Sequence, residues 1–211
     1  MNSLEDYQIA AFMKAVHGHP LEAVYIVDLF TGMRQGEILG LAWDCIDFDK
    51  GIITIYRQLQ LIKGEYKFAS LKNDKPRQIT PVPYVMQVLS RHHKRQLQAR
   101  LQVGEAWENE KDFVFTDSLG RHLARQTVYQ HFQHFKRFAA QIGMPDACFH
   151  DLSHSYAVAA LQSGGNVKTI QQNRGHHTAA FTLDVYGHVS ESMQRESAER
   201  MEAFINAVSN L

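Results

Sequence analysis

One block of this chain, residues 52–82, carries strand-like periodicity, and segments of helical periodicity lie on both sides of it. Ile52 to Leu61 (IITIYRQLQL) is β-branched and partly alternating, Gly64-Glu65 makes a turn, Tyr66 to Leu71 forms a second strand, and Arg77 to Val82 a third. So localised a strand signal predicts an α+β fold: mainly α, with one small antiparallel β-sheet.

The flanking segments read as helices. Ser3 to Val16 has Ser3 and Asp6 in the arrangement of an acidic capping box, with Ile9, Phe12, Met13 and Val16 at helical spacing. A second helix covers Leu21 to Phe30, Thr31-Gly32-Met33 breaks it, and a third begins at Arg34, with Ile38, Leu39 and Leu41 turned to the core. Further helices are predicted over Tyr84 to Leu101, Arg125 to Ile142, His150 to Gln162, Val167 to Asn173 and Thr178 to Val185, with a strand-like Phe113-Val114-Phe115 between the first two. A last amphipathic helix follows Ser190, its stripe formed by Met193, Met201, Phe204, Ile205 and Val208. No internal repeat or composition break divides the 211 residues, so a single domain over 1–211 is expected.

Composition narrows the functional classes. No run approaches the roughly 18 to 20 apolar residues of a membrane span, and the N-terminal segment has no signal-peptide pattern, which points to a cytoplasmic protein. Cys45 and Cys148 lack metal-ligand or disulfide spacing and are expected as buried small hydrophobes. The net charge is zero, but from Arg57 to Arg77 six Lys or Arg face two acids, whereas the segment from Ser190 holds four Glu and two Arg. Phosphate binding depends on such clustering rather than on the mean charge.

Three polar groupings punctuate the apolar helices. The first is TGMRQGEILGL, where Arg34 stands at a helix start and Glu37, three residues on, shares its face. A carboxylate there can hold the guanidinium, whose rigid donor fork suits a phosphate. The second runs from Phe149-His150-Asp151-Leu152-Ser153-His154 to Arg174-Gly175-His176-His177, and the third is Asp184-Val185-Tyr186-Gly187-His188.

In order and spacing, across essentially the whole chain, these groupings resemble the boxes of the tyrosine recombinases, the phage-integrase family. TGMRQGEILGL is similar to their first arginine box, the pattern from His150 to their H-x-L-R-H box, RGHH to L-G-H, and LDVYGHV to the segment around the nucleophile. The resemblance implies their catalytic-domain fold and site-specific DNA recombination by cleavage and rejoining through a 3′-phosphotyrosyl intermediate, with no cofactor and no metal. It implies Tyr186 as nucleophile, Arg34 as a clamp on a non-bridging oxygen, and His150 and His176 as hydrogen-bond donors or proton carriers. The same resemblance implies a lysine on a turn of the small sheet as the acid for the departing 5′ oxygen, which is Lys72 here, with Lys75 as the other candidate. Glu37 supports Arg34, and Arg57, Lys75 and Arg77 are expected to contact DNA. The implied partners are double-stranded DNA and, in a full-length protein, three further copies in a tetramer on DNA. This chain begins about where the catalytic domain begins, so the N-terminal core-binding domain is expected to be absent and the isolated piece monomeric.

One position departs from the pattern. The family has a second arginine where this chain has Ser153, a neutral hydroxyl without the positive charge. Losing a charged transition-state donor costs on the order of 100- to 1000-fold in rate. The substitution reads as engineered to trap a complex, as natural decay, or as compensated by another cation such as Arg174. Two functional readings follow: a recombinase impaired at one position, and a non-catalytic DNA-binding protein on the same fold. A metal hydrolase built on His150, Asp151, His154 and His176 is a third, but it lacks HExxH and a third strong ligand.

Overall fold

The computed structural model describes residues 4–71, 75–139 and 149–174, together with 199, 201 and 202; for 134–139, 149–151 and 174 it describes the backbone only. Helices α1 (Asp6–Val16), α2 (Glu22–Thr31) and α3 (Gln35–Leu39) come first, then strands β1 (Ile46–Asp47), β2 (Ile52–Ile55), β3 (Arg57–Ile62), β4 (Glu65–Ser70) and β5 (Arg77–Ile79). Helices α4 (Pro83–Val103), α5 (Arg125–Ala139), α6 (Phe149–Gln162) and α7 (Val167–Arg174) follow. The expected helix over Thr178 to Val185 lies outside the described residues, as do Cys148 and most of the segment after Ser190, of which residues 199, 201 and 202 are helical.

Helix α2 is the axis of the core because apolar residues surround it on nearly every side. Ala23, Val24, Tyr25, Ile26, Val27 and Leu29 are all buried, which a helix with one solvated face does not allow. Phe12 of α1 and Phe132 of α5 meet Tyr25 with ring centroids 6.0 and 5.9 Å away, edge-on arrangements that favour the positive rim of one ring against the face of the next. Val85, Val88 and Leu89 of α4 and Leu152 of α6 join the same cluster. Among the described residues no helix is long and apolar enough to cross a membrane.

The N-terminal cap falls two residues later than Ser3-Asp6 suggested. The Glu5 N–H donates to Gln8 Oε1 at 2.8 Å, and α1 starts at Asp6. Leu4 is buried, with its N–H donating to Ser155 Oγ at 2.9 Å, so a contact 151 residues away selects the start of the helix.

The single expected sheet is two sheets. β1, β2 and β5 form one in that order, and β3 and β4 form a separate hairpin. The stretch read as one strand from Ile52 to Leu61 breaks at Tyr56. Ile53 and Ile55 are buried on one face of β2, Tyr56 is exposed, and Gln58 and Leu59 are then buried in succession, so the period of two is interrupted where the chain changes sheets. The hairpin turn is Lys63-Gly64, both at positive φ (52° and 85°), one residue before the expected turn. Two positive-φ residues match the twist of an antiparallel pair.

Two glycines of the first arginine grouping are set by packing. A Cβ on Gly40 would meet the backbone N of Leu59 at 2.7 Å, and one on Gly36 the Leu59 carbonyl oxygen at 3.1 Å, because β3 lies directly on α3. Gly40→Ala is expected to lower stability by about 1–3 kcal/mol, the range for forcing extra volume into a packed contact; a urea midpoint unchanged from wild type would refute the close approach.

Burial holds the His92 imidazole below the usual histidine range, while its Nε2 lies 2.7 Å from the Val114 carbonyl oxygen. Burial lowers His19 as well, with His131 nearby adding to the effect. Both rings bind fewer protons in the folded than in the unfolded chain, so the stability they contribute is present above the unfolded histidine value of 6.5 and is lost as pH falls below it. Urea midpoints at about pH 7.5 and about pH 5.5 should differ, the acidic one being lower; equal midpoints would contradict burial of these rings.

Candidate active site

Gly32 closes α2 in the left-handed conformation (φ 64°), and its N–H reaches the Asp28 carbonyl at 3.3 Å. The chain then turns through buried Met33 and delivers Arg34 in extended conformation to the N-cap of α3. This short connection puts Arg34 at the molecular surface while α2 and α3 stay in the core. The Arg34 side chain is 38% exposed.

Glu37 is the centre of the polar arrangement. It is 1% exposed, and both carboxylate oxygens are occupied. Its Oε2 accepts the Arg34 backbone N–H at 2.9 Å, and its Oε1 lies 3.4 Å from Arg34 Nη1, a long contact. The stronger partner is Arg77 of β5, whose Nη1 donates to Oε1 at 2.9 Å and Nη2 to Oε2 at 2.7 Å. A parallel pair of charge-assisted bonds fixes both planes, which a single contact does not.

Arg77 makes a second connection. Its Nε and Nη2 donate to the Asn173 carbonyl oxygen at 3.2 and 3.1 Å. That carbonyl belongs to the last turn of α7, where helix geometry leaves oxygens without an intrahelical donor and concentrates partial negative charge. Asn173 Nδ2 in turn donates to the Tyr156 hydroxyl of α6 at 2.7 Å. One continuous polar chain therefore joins α3, β5, α7 and α6.

Ser153 and His154 are both buried in α6, at 5% and 6% exposure. His150 lies on the first turn of the same helix, and its side chain is outside the description, as is that of Arg174 at the end of α7. Lys72, His176 and Tyr186 fall outside the described residues. Lys75 is exposed just before β5.

The two arginines expected to contact DNA are both engaged within the protein. Arg57 lies 4.4 Å from the Phe68 ring centroid and 4.9 Å from that of Tyr56, with Nη2 3.3 Å from Asp44 Oδ1. Asp44 also accepts the Tyr56 hydroxyl at 2.9 Å; burial, followed by this bond to the carboxylate, pushes that phenol up to about 12. Arg77 is 12% exposed, with four of its five N–H donors directed at Glu37 and Asn173.

Sequence reasoning missed several supports. Gln35, beside Arg34, accepts Arg125 Nε at 2.9 Å, and the Arg125 N–H donates to the Tyr66 hydroxyl at 3.1 Å, which ties α3, α5 and the hairpin together. Asn173 and Tyr156 also carried no local signal. Arg77 did carry one: alternation puts it on the same strand face as Ile79, and Ile79 is buried. Among the described residues no group of three or more His, Cys, Asp or Glu could hold a metal ion.

With this geometry in view, the comparisons with known proteins are specific. The sequence profile of the Phage integrase family matches residues 2–193. A XerC-like tyrosine recombinase of Caldanaerobacter subterraneus subsp. tengcongensis is 28% identical over 213 residues, covering 95% of this chain and 54% of that protein. The tyrosine recombinase XerC of Lactobacillus leichmannii is 30% identical over 186 residues, covering 85% of this chain and 54% of that protein. The chain thus spans about half the length of these relatives. Among solved structures, the Tn1549 transposon integrase in complex with circular intermediate DNA superposes with a TM-score of 0.79 at 21% identity, covering 95% of this chain and 67% of that one. The catalytic domain of bacteriophage HP1 integrase superposes with a TM-score of 0.56 at 16% identity, covering 94% of each chain. A profile match over most of the chain, on a fold that overlays a complete integrase catalytic domain, identifies the chain as a member of the phage integrase family with the fold of a tyrosine recombinase catalytic domain.

Proposed function

We propose that the chain provides the strand-cutting and rejoining centre of a site-specific DNA recombinase acting on double-stranded DNA. The observation that carries this reading is Arg34, presented at a helix start by a buried carboxylate and still 38% exposed, within the grouping that resembles the family's first arginine box. A guanidinium so held keeps its charge at all accessible pH and meets a phosphate oxygen without first having to be ordered.

In this mechanism the Tyr186 oxygen attacks phosphorus, the phenolic proton leaves, and the bond from phosphorus to the 5′ oxygen breaks. Lys72 gives a proton to that departing oxygen. Arg34, with His150 and His176, holds the non-bridging oxygens, where charge accumulates in the transition state. The phosphotyrosyl bond keeps a good leaving group in place, since a phenol ionises near 10, far below an alcohol. Attack by a 5′ hydroxyl of another strand reverses the step and releases Tyr186. Ser153 contributes no charge, so the cleavage step runs slowly. Four copies on DNA would exchange strands in pairs, as the resemblance implies.

Covalent trapping tests the proposal. Nicked duplexes tiled across the DNA flanking the gene, with sulfur as the bridging 5′ atom, remove the need for a proton donor at the leaving group. A protein–DNA adduct mapping to Tyr186 by peptide mass spectrometry, and missing in Tyr186→Phe, is the expected result. DNA binding with no adduct at any site would instead support a non-catalytic DNA-binding protein on this fold.

A further inference from the structure

The geometry points to Arg77 as a positioning residue that locks Arg34 and the end of α7 into one arrangement, rather than as a group that touches DNA. The inference rests on the reading of Arg34 and His176 as groups facing the phosphate. Arg77 is the only described side chain that donates both to Glu37 and to the Asn173 carbonyl. Its two partners lie 40 and 96 residues away in sequence, on α3 and on α7. On one side Glu37 holds the Arg34 N–H; on the other, Asn173 lies three residues before His176. Asn173 is also held by Tyr156 of α6, the helix that carries His150 and Ser153.

The chemistry of the side chain explains its use here. Only a planar fork can meet both oxygens of one carboxylate and still direct further donors to a carbonyl at its side; an ammonium group is a single point charge. The carboxylate and carbonyl also compete with any incoming phosphate, because Arg77 would have to leave a buried anion behind to reach DNA. The sheet gives the connection its stiffness: Arg77 pairs with Ile55, and Ile79 two residues on is in the core. Lys75, exposed, lies two residues before Arg77 at the start of β5.

The test uses the full chain with Arg77→Met, Arg77→Lys, Glu37→Gln and the Arg77→Met/Glu37→Gln pair. Three quantities are read: the single-turnover rate of adduct formation at saturating DNA, the DNA Kd as a function of salt, and hydrogen exchange at the Arg34 Nε–H by NMR. Positioning predicts a rate about 100-fold lower in Arg77→Met, the lower end for losing a charged transition-state contact. The Kd should move less than about threefold with an unchanged salt slope. The double variant should be no slower than the slower single one, since both break the same connection. Arg77→Lys should restore the melting temperature but not the rate, and it serves where Arg77→Met does not fold. A salt slope reduced by about one, with weaker binding, would make Arg77 a phosphate contact and overturn the inference. So would a lowered melting temperature with the wild-type rate kept well below it. If the wild-type protein gives no adduct, the catalytic reading fails by itself, and Arg34 exchange decides: faster exchange in Arg77→Met sustains the positioning role, and unchanged exchange overturns it.

Discussion

Ser153→Arg should raise the single-turnover rate of Tyr186 adduct formation by about 100- to 1000-fold, the usual effect of one charged donor at a phosphoryl or acyl transition state. The position lies on α6 three residues before Tyr156, so the two side chains share a helix face, and Tyr156 is already bound to Asn173 at the end of α7. An arginine at 153 therefore emerges on the side of α6 that Tyr156 shares, toward Asn173 in the last turn of α7. A cost accompanies the gain. Ser153 is 5% exposed, and a larger, charged side chain must displace neighbours, which costs about 1–3 kcal/mol and should lower the melting temperature. A variant that folds, binds DNA and gains no rate would show that position 153 does not face the phosphate, and the alignment of the His150 grouping with the family's second box would fall.

Glu37→Ala should destabilise the fold by about 3–5 kcal/mol, the range for leaving one member of a buried ion pair without its partner. Among the described residues Arg77 then has the Asn173 carbonyl alone to satisfy its charge at 12% exposure, and the Arg34 N–H loses its acceptor at the start of α3. Urea unfolding measures the effect. A loss under about 1 kcal/mol would mean that water reaches Arg77 freely and that the pair is a surface contact of little worth. The expected loss would give Glu37 a stability role larger than the support of Arg34 expected from its spacing. The contact with Arg34 Nη1 is long at 3.4 Å, and the strong bonds go to Arg77.

Much of the secondary structure was legible locally. The break at Gly32, the helix start at Arg34, the cluster of short strands and the helix containing His150 all follow from period, caps and turn residues. The split into two sheets did not follow. Ile52 to Leu61 has uninterrupted β propensity, and only the support of α3 under β3, on Gly36 and Gly40, turns the chain away at Tyr56. The capping of α1 was misplaced for a related reason, since burial of Leu4 against α6 outweighed the local preference of Ser3-Asp6.

By itself the sequence determined the fold class, the family, and the pairing of Arg34 with Glu37, because all three depend on residues close together or on the order of short groupings along the chain. Only the tertiary structure decided where the Arg77 donors point. Its partners are distant in sequence, and a strand residue shows its basic charge locally but not which side of the sheet holds a buried carboxylate. Charge can be counted along a chain, whereas the direction of a guanidinium is set by the elements that pack around it. Glu37 and the open carbonyl of α7 gather Arg77 inward, away from the surface where a count of basic residues had put it.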